Sequence, residues 1–76
     1  MTDFLHRVES LTKLVDSREF EDNGRQFRIE RLRWQSGDFT VLLFVDDTQV
    51  ITNDFLEEYD AIDYFDNLLV NYNEYV

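Results

Sequence analysis

Three carboxylates, Asp60, Asp63 and Asp66, recur every third residue in the stretch Asp54–Val76, and Glu74 follows them. On a helix, Asp60 and Asp63, or Asp63 and Asn67, lie about one turn apart, close enough to hold a hard cation weakly through oxygen. The chain has no calcium-loop pattern of alternating Asp/Asn with a central Gly, so no specific metal site and no cofactor are expected. The same carboxylates suit a solvated or partner-facing helix surface.

Other chemistry-bearing residues are few. Nucleophilic catalysis needs a Ser, Thr or Cys beside a base, usually His. The sequence contains no Cys and a single His, His6. His6 falls among polar neighbours near the N-terminus and is expected on the surface. Gly24 and Gly37 are the only glycines, and each is accounted for by a turn, which leaves no phosphate-cradling loop. The expectation is a protein that is not an enzyme.

Charge is distributed unevenly. The net charge is −10. Met1–Arg33 is neutral, because its basic and acidic residues are equal in number. Every residue of the excess lies in Trp34–Val76, which contains no Lys or Arg. Phosphate would be repelled from that half, so direct nucleic-acid binding and anionic membranes are disfavoured and a basic protein partner is favoured. The plainer reading is a solvated acidic face that maintains solubility. Met1 is followed by a charged amphipathic segment rather than a signal peptide. The apolar run Val41–Val45 is too short to span a bilayer. A cytoplasmic protein is expected.

These residues need a scaffold, and 76 residues supply one domain, 1–76, with a small core. Phe4, Val8, Leu11 and Val15, spaced by four, three and four, predict an amphipathic helix from Asp3 to about Ser17, begun by Thr2 or Asp3. Asn23-Gly24 predicts a two-residue hairpin, because both positions must take positive φ. That loop sets Asp22 opposite Arg25, Glu21 opposite Gln26, Phe20 opposite Phe27 and Glu19 opposite Arg28.

Beyond Ile29 the alternation changes phase. Reading Gln35–Asp38 as a four-residue turn pairs Trp34 with Phe39 and Leu32 with Val41. That pairing requires a β-bulge near Glu30–Arg31 to keep Leu32 and Trp34 on the core side. Phe39, Val41, Leu43 and Val45 then form the core face of the third strand. The outer face would hold Glu19, Glu21, Arg28, Arg31 or Arg33, Thr40, Leu42 and Phe44. Leu42 and Phe44 on an uncovered face would form a self-association or partner patch, unless Arg stems fold over them.

Asp46–Thr48 reads as a tight turn into a short strand, Gln49–Thr52. Asn53 or Asp54 would cap the last helix, with Glu57 in capping-box position behind Asp54; a start only at Asp60 is the other reading. Its buried stripe is expected to be Phe55, Tyr59, Ile62, Phe65, Leu69 and Tyr72. The resulting fold class is α+β: a two-layer α-β-β-β-(β)-α sandwich, with a three- or four-stranded antiparallel sheet and both helices on one face.

Three runs resemble the YkuJ-like family of small bacterial proteins: Phe20-Glu21-Asp22-Asn23-Gly24, Ser36-Gly37-Asp38-Phe39, and Asp60 through Leu69. The resemblance covers roughly residues 4 to 70 and departs from the family pattern at 46–59. It implies this topology, a cytoplasmic setting and no catalytic residues. The functional expectation is an acidic, non-catalytic interaction module with a basic protein partner, which can also pair with itself as a homodimer. The alternative is a nucleic-acid mimic that blocks a basic nucleic-acid-binding protein. The candidate surface comprises Asp60, Asp63, Asp66 and Glu74, with Arg28, Arg31, Arg33, Leu42 and Phe44 on the sheet.

Overall fold

A computed structural model describes residues 11–75. Four strands, β1 (Thr12–Asp22), β2 (Arg25–Trp34), β3 (Phe39–Val45) and β4 (Thr48–Phe55), form one antiparallel sheet in sequence order. The helix α1 (Glu58–Asn71) lies on one face and continues into a 3-10 turn, Tyr72–Tyr75. The fold is α+β.

Side chains opposite one another across strands share a face. The β1–β2 hairpin has the register expected from its Asn-Gly loop: Asp22 pairs with Arg25, Phe20 with Phe27 and Glu19 with Arg28. Asn23 (φ 54°) and Gly24 (φ 80°) both take the left-handed conformation this turn requires. Asp46 (φ 50°) and Asp47 (φ 66°) make a second two-residue turn between β3 and β4.

Several expectations are corrected. Of the helix expected over 3–17, Leu11 is helical and the chain is strand from Thr12 onward, while residues 3–10 lie outside the described residues. β2 is ten residues long, and a partner strand of matching length satisfies its edge N–H and C=O groups. That long-range pairing outweighs the local helical period. The described residues therefore contain one α-helix against the sheet, and the second helix expected on that face is not among them.

The expected bulge at Glu30–Arg31 is absent. β2 pairs with β3 without interruption, Arg33 opposite Phe39, Leu32 opposite Thr40 and Arg31 opposite Val41. Trp34 N–H donates to the Asp38 carbonyl (2.8 Å), so the connecting loop is three residues, Gln35–Gly37, one shorter than expected. Gly37 (φ 99°) supplies its left-handed position. One residue fewer in the loop reverses which side chains of β2 face the helix. Leu32 and Trp34 turn away from α1, and Arg31 and Arg33 turn toward its layer. The phase change is absorbed in β1, where Val15 is the extra residue between the Leu14–Leu32 and Asp16–Arg31 pairs. A second irregularity leaves Val50 unmatched between the Leu43–Ile51 and Phe44–Gln49 pairs.

β4 runs through Phe55, beyond the expected Thr52, and takes in Asn53 and Asp54. Neither caps the helix. The N-cap is Glu57, and its side chain makes no cap hydrogen bond. The core is Phe27, Ile29, Phe39, Val41, Leu43 and Val45 of the sheet against Ala61, Phe65 and Leu68 of α1. Of the stripe expected to be buried, Phe65 is in the core and Phe55, Leu69 and Tyr72 pack against it, but the buried row runs through 61, 65 and 68 and turns Tyr59 and Ile62 outward. Tyr59 is 79% exposed and Ile62 39% exposed. Phe20, Phe27 and Tyr72 close one end as an aromatic cluster, Tyr72 edge-on to both phenyl rings with centroids 4.7 Å away.

Candidate functional site

With Ala61, Phe65 and Leu68 buried, 3.6 residues per turn place Tyr59, Asp63, Asp66 and Val70 on the opposite, outward row of α1. Their spacing of four, three and four is that of a helix seam. Tyr59 and Val70 are 79% and 75% exposed. Asp63 and Asp66 are exposed between them, with Asp60 on one flank and Ile62 on the other. Leu56, just before the helix, is also exposed. The outward face therefore sets carboxylates between two large apolar groups on a convex surface. Glu74 sits apart from this row, in the terminal 3-10 turn.

No described cation approaches Asp60, Asp63, Asp66 or Glu74 within ion-pair distance, and the last turn of α1 contains no basic residue. Glu58 alone among the α1 carboxylates is matched, by Arg31 Nη1 at 3.7 Å.

The sheet cations are used differently. Arg31 lies on the helix-covered face with its side chain 13% exposed, between Glu58 and Asp16 (4.0 Å). Its Nε has no hydrogen-bond partner. Arg18 pairs with Asp16 and lies 5.8 Å from the Phe65 ring centroid. Arg25 pairs with Asp46 at 3.4 Å. Arg28 pairs with Glu30 (3.1 Å) and Asp47 (3.3 Å), and its guanidinium lies 4.2 Å from the centroid of Phe44. Stacking at that distance shields the ring. The cavity beside Arg28 is about 170 Å³, smaller than the several hundred Å³ usual for an organic ligand.

The expected sheet candidates are thereby divided. Arg28, Leu42 and Phe44 share the open face, whereas Arg31 and Arg33 belong to the helix side. Leu42 is half-buried beside Glu30 and Thr52. The exposed apolar groups of the open face lie toward its other end, with Leu14 50% exposed opposite Leu32. There Trp34 Nε1–H donates to Thr40 Oγ1 (2.7 Å), whose hydroxyl donates to Asp54 Oδ1 (2.6 Å), a chain across three strands. Thr40 is buried although it faces away from the core, and this chain satisfies its hydroxyl. On the helix side, Asn53 Nδ2 donates to Tyr64 Oη (2.6 Å).

Tyr72 Oη donates to Asp22 Oδ2 at 2.6 Å. That hydrogen bond to the carboxylate, aided by burial and by the negative charge of Asp22, raises the phenol above its ordinary pKa. No group of three His, Cys, Asp or Glu side chains able to hold a metal occurs among the described residues. None of their helices is long and apolar enough to cross a membrane. His6 lies outside the described residues.

The outward row Tyr59–Val70 was not found by sequence reasoning, which placed Tyr59 in the core. The available signal was Ala61 at four residues before Phe65, a small residue where a helix approaches a sheet closely.

A scan against protein-family models finds no match, and comparisons with curated proteins and with solved structures find none either. The resemblance to the YkuJ-like family rests on its three short motifs.

Proposed function

We propose that the chain is a non-catalytic, cytoplasmic interaction module that docks a basic protein surface on the outward face of α1. One observation carries this reading. Asp60, Asp63 and Asp66 stand between exposed Tyr59 and Val70 with no ion-pair partner among the described residues, whereas Arg18, Arg25, Arg28 and Arg31 are matched within the sheet or to Glu58. Unmatched charge beside exposed apolar surface supplies both steering and contact area for a cationic partner. Self-pairing through this helix is opposed, because it sets Asp63 and Asp66 against copies of themselves. A homodimer would use the open sheet face around Leu14, Leu32 and Leu42.

Nucleic-acid mimicry is a narrower form of the same reading. Asp60, Asp63 and Asp66 advance about 4.5 Å each along the axis, the order of the roughly 3.4 Å per phosphate of one DNA strand. Exposed Tyr59 and Val70 in the same row favour a protein-contact surface over a bare phosphate-like stripe.

Affinity capture from host cells tests the proposal, with wild-type chain and an Asp60→Asn/Asp63→Asn/Asp66→Asn variant as baits. The expected outcome is a partner held at low salt by wild type and lost by the variant, with no drop in melting temperature. Equal retention of that partner by the variant refutes the reading. Displacement of the partner by duplex DNA selects mimicry; indifference to DNA selects the general module.

A further inference from the structure

We propose that Lys13 and Arg33 form a binding site for a phosphate group. The two residues are direct cross-strand partners in the β1–β2 ladder. Directly opposite side chains have Cβ atoms about 4.5–5.5 Å apart, and like charges in that position repel. The four other described cations are each neutralised by at least one carboxylate; among the described residues Lys13 and Arg33 have no ion-pair partner within 4.0 Å. Both are exposed. In a chain of net charge −10, carboxylates are abundant enough to match every cation, so an unmatched adjacent pair marks a place for a charge from outside.

The pair borders a hollow of about 190 Å³ that Leu11, Thr12, Trp34 and Gln35 also line among the described residues. That volume suits a single small group rather than a large ligand. Two adjacent cations match a dianion better than a carboxylate monoanion, and a phosphate carries about −1.5 to −2 at neutral pH. The planar Arg33 fork can bind two phosphate oxygens while Lys13 supplies a point charge to a third. The acidic outward row of α1 is a separate feature, so this site goes beyond the function proposed above.

Nuclear magnetic resonance of the 15N-labelled chain tests the proposal with two probes, inorganic phosphate and phenyl phosphate, each against sodium chloride at matched ionic strength. The expected result is saturable shifts confined to the amides of 12–14 and 32–35 and absent in chloride. Lys13→Gln and Arg33→Gln should each weaken binding at least tenfold. The empty double variant should melt no lower than wild type, because a repulsion has been removed. Tighter binding of phenyl phosphate identifies a phosphate carried on an apolar group, and equal binding identifies the free ion. Shifts that chloride reproduces, or phosphate binding unchanged in the double variant, would overturn the proposal.

Discussion

Tyr72 ties the end of the chain to the first hairpin, through its ring against Phe20 and Phe27 and its hydroxyl on Asp22. Because the folded phenol has a raised pKa, the native state holds this proton more tightly than the unfolded chain does. The stabilisation is fully present below the unfolded phenol's value of about 10 and is lost as pH rises through the folded value. Urea unfolding followed through that alkaline range should show wild type losing stability more steeply than Tyr72→Phe, which retains the ring packing. Identical slopes would show that the Asp22 contact adds nothing. Arg31 shows another side of residue-scale electrostatics. Its two carboxylates sit at the long end of ion pairing and Glu58 is more than half exposed, and such loosely matched pairs contribute little net stability. Its position beneath the helix start follows from strand register.

At the scale of elements, turns decided what could be read in advance. The Asn23-Gly24 loop admits one register, and the β1–β2 pairing near it followed directly. Gln35–Asp38 admits two readings that differ by a single residue, and the longer one placed Leu32 and Trp34 in the core and Arg31 outside it. The actual three-residue loop depends on Gly37 at φ 99°, where a Cβ meets no neighbouring atom within 4 Å but the backbone itself is strained for any L side chain. Gly37→Ala should therefore cost about 1–2 kcal/mol by urea denaturation, with an unchanged far-ultraviolet spectrum. No loss would mean that the loop adopts another geometry. The strand character of Thr12–Ser17 was hidden for a different reason: its pattern is locally helical, and only the length of β2 reveals the pairing it meets. In α1, two candidate rows differ by a rotation of the helix. Tyr59 and Ile62 read as core because their bulk suits burial, whereas the small Ala61 is what lets the helix approach the sheet.

Across the whole molecule, charge is segregated by layer. Arg18 and Arg31 are matched on the helix-covered face of the sheet, Arg28 is matched on the open face, and α1 presents its carboxylates outward. Asp60, Asp63 and Asp66 of the acidic half thus share one convex surface, with Tyr59 and Val70 as its apolar anchors. Asp60, Asp63 and Asp66 were legible as candidates; their apolar neighbours were not, because exposure of Tyr59 and Val70 depends on which row α1 buries. A cationic ligand drawn only by net charge would also visit Asp22, Asp46 and Asp47 at the hairpin ends, whereas a docking face should confine it to α1. The most direct measurement is amide shift mapping of the 15N-labelled chain titrated with an amphipathic helical peptide bearing Lys on one face and Leu at both ends, at physiological salt. Saturable shifts centred on Tyr59, Asp63, Asp66 and Val70 are expected, lost in a Tyr59→Ala/Val70→Ala variant of unchanged stability. Shifts spread evenly over the hairpin carboxylates, or centred on Leu14 and Leu32 of the open sheet face, would contradict it.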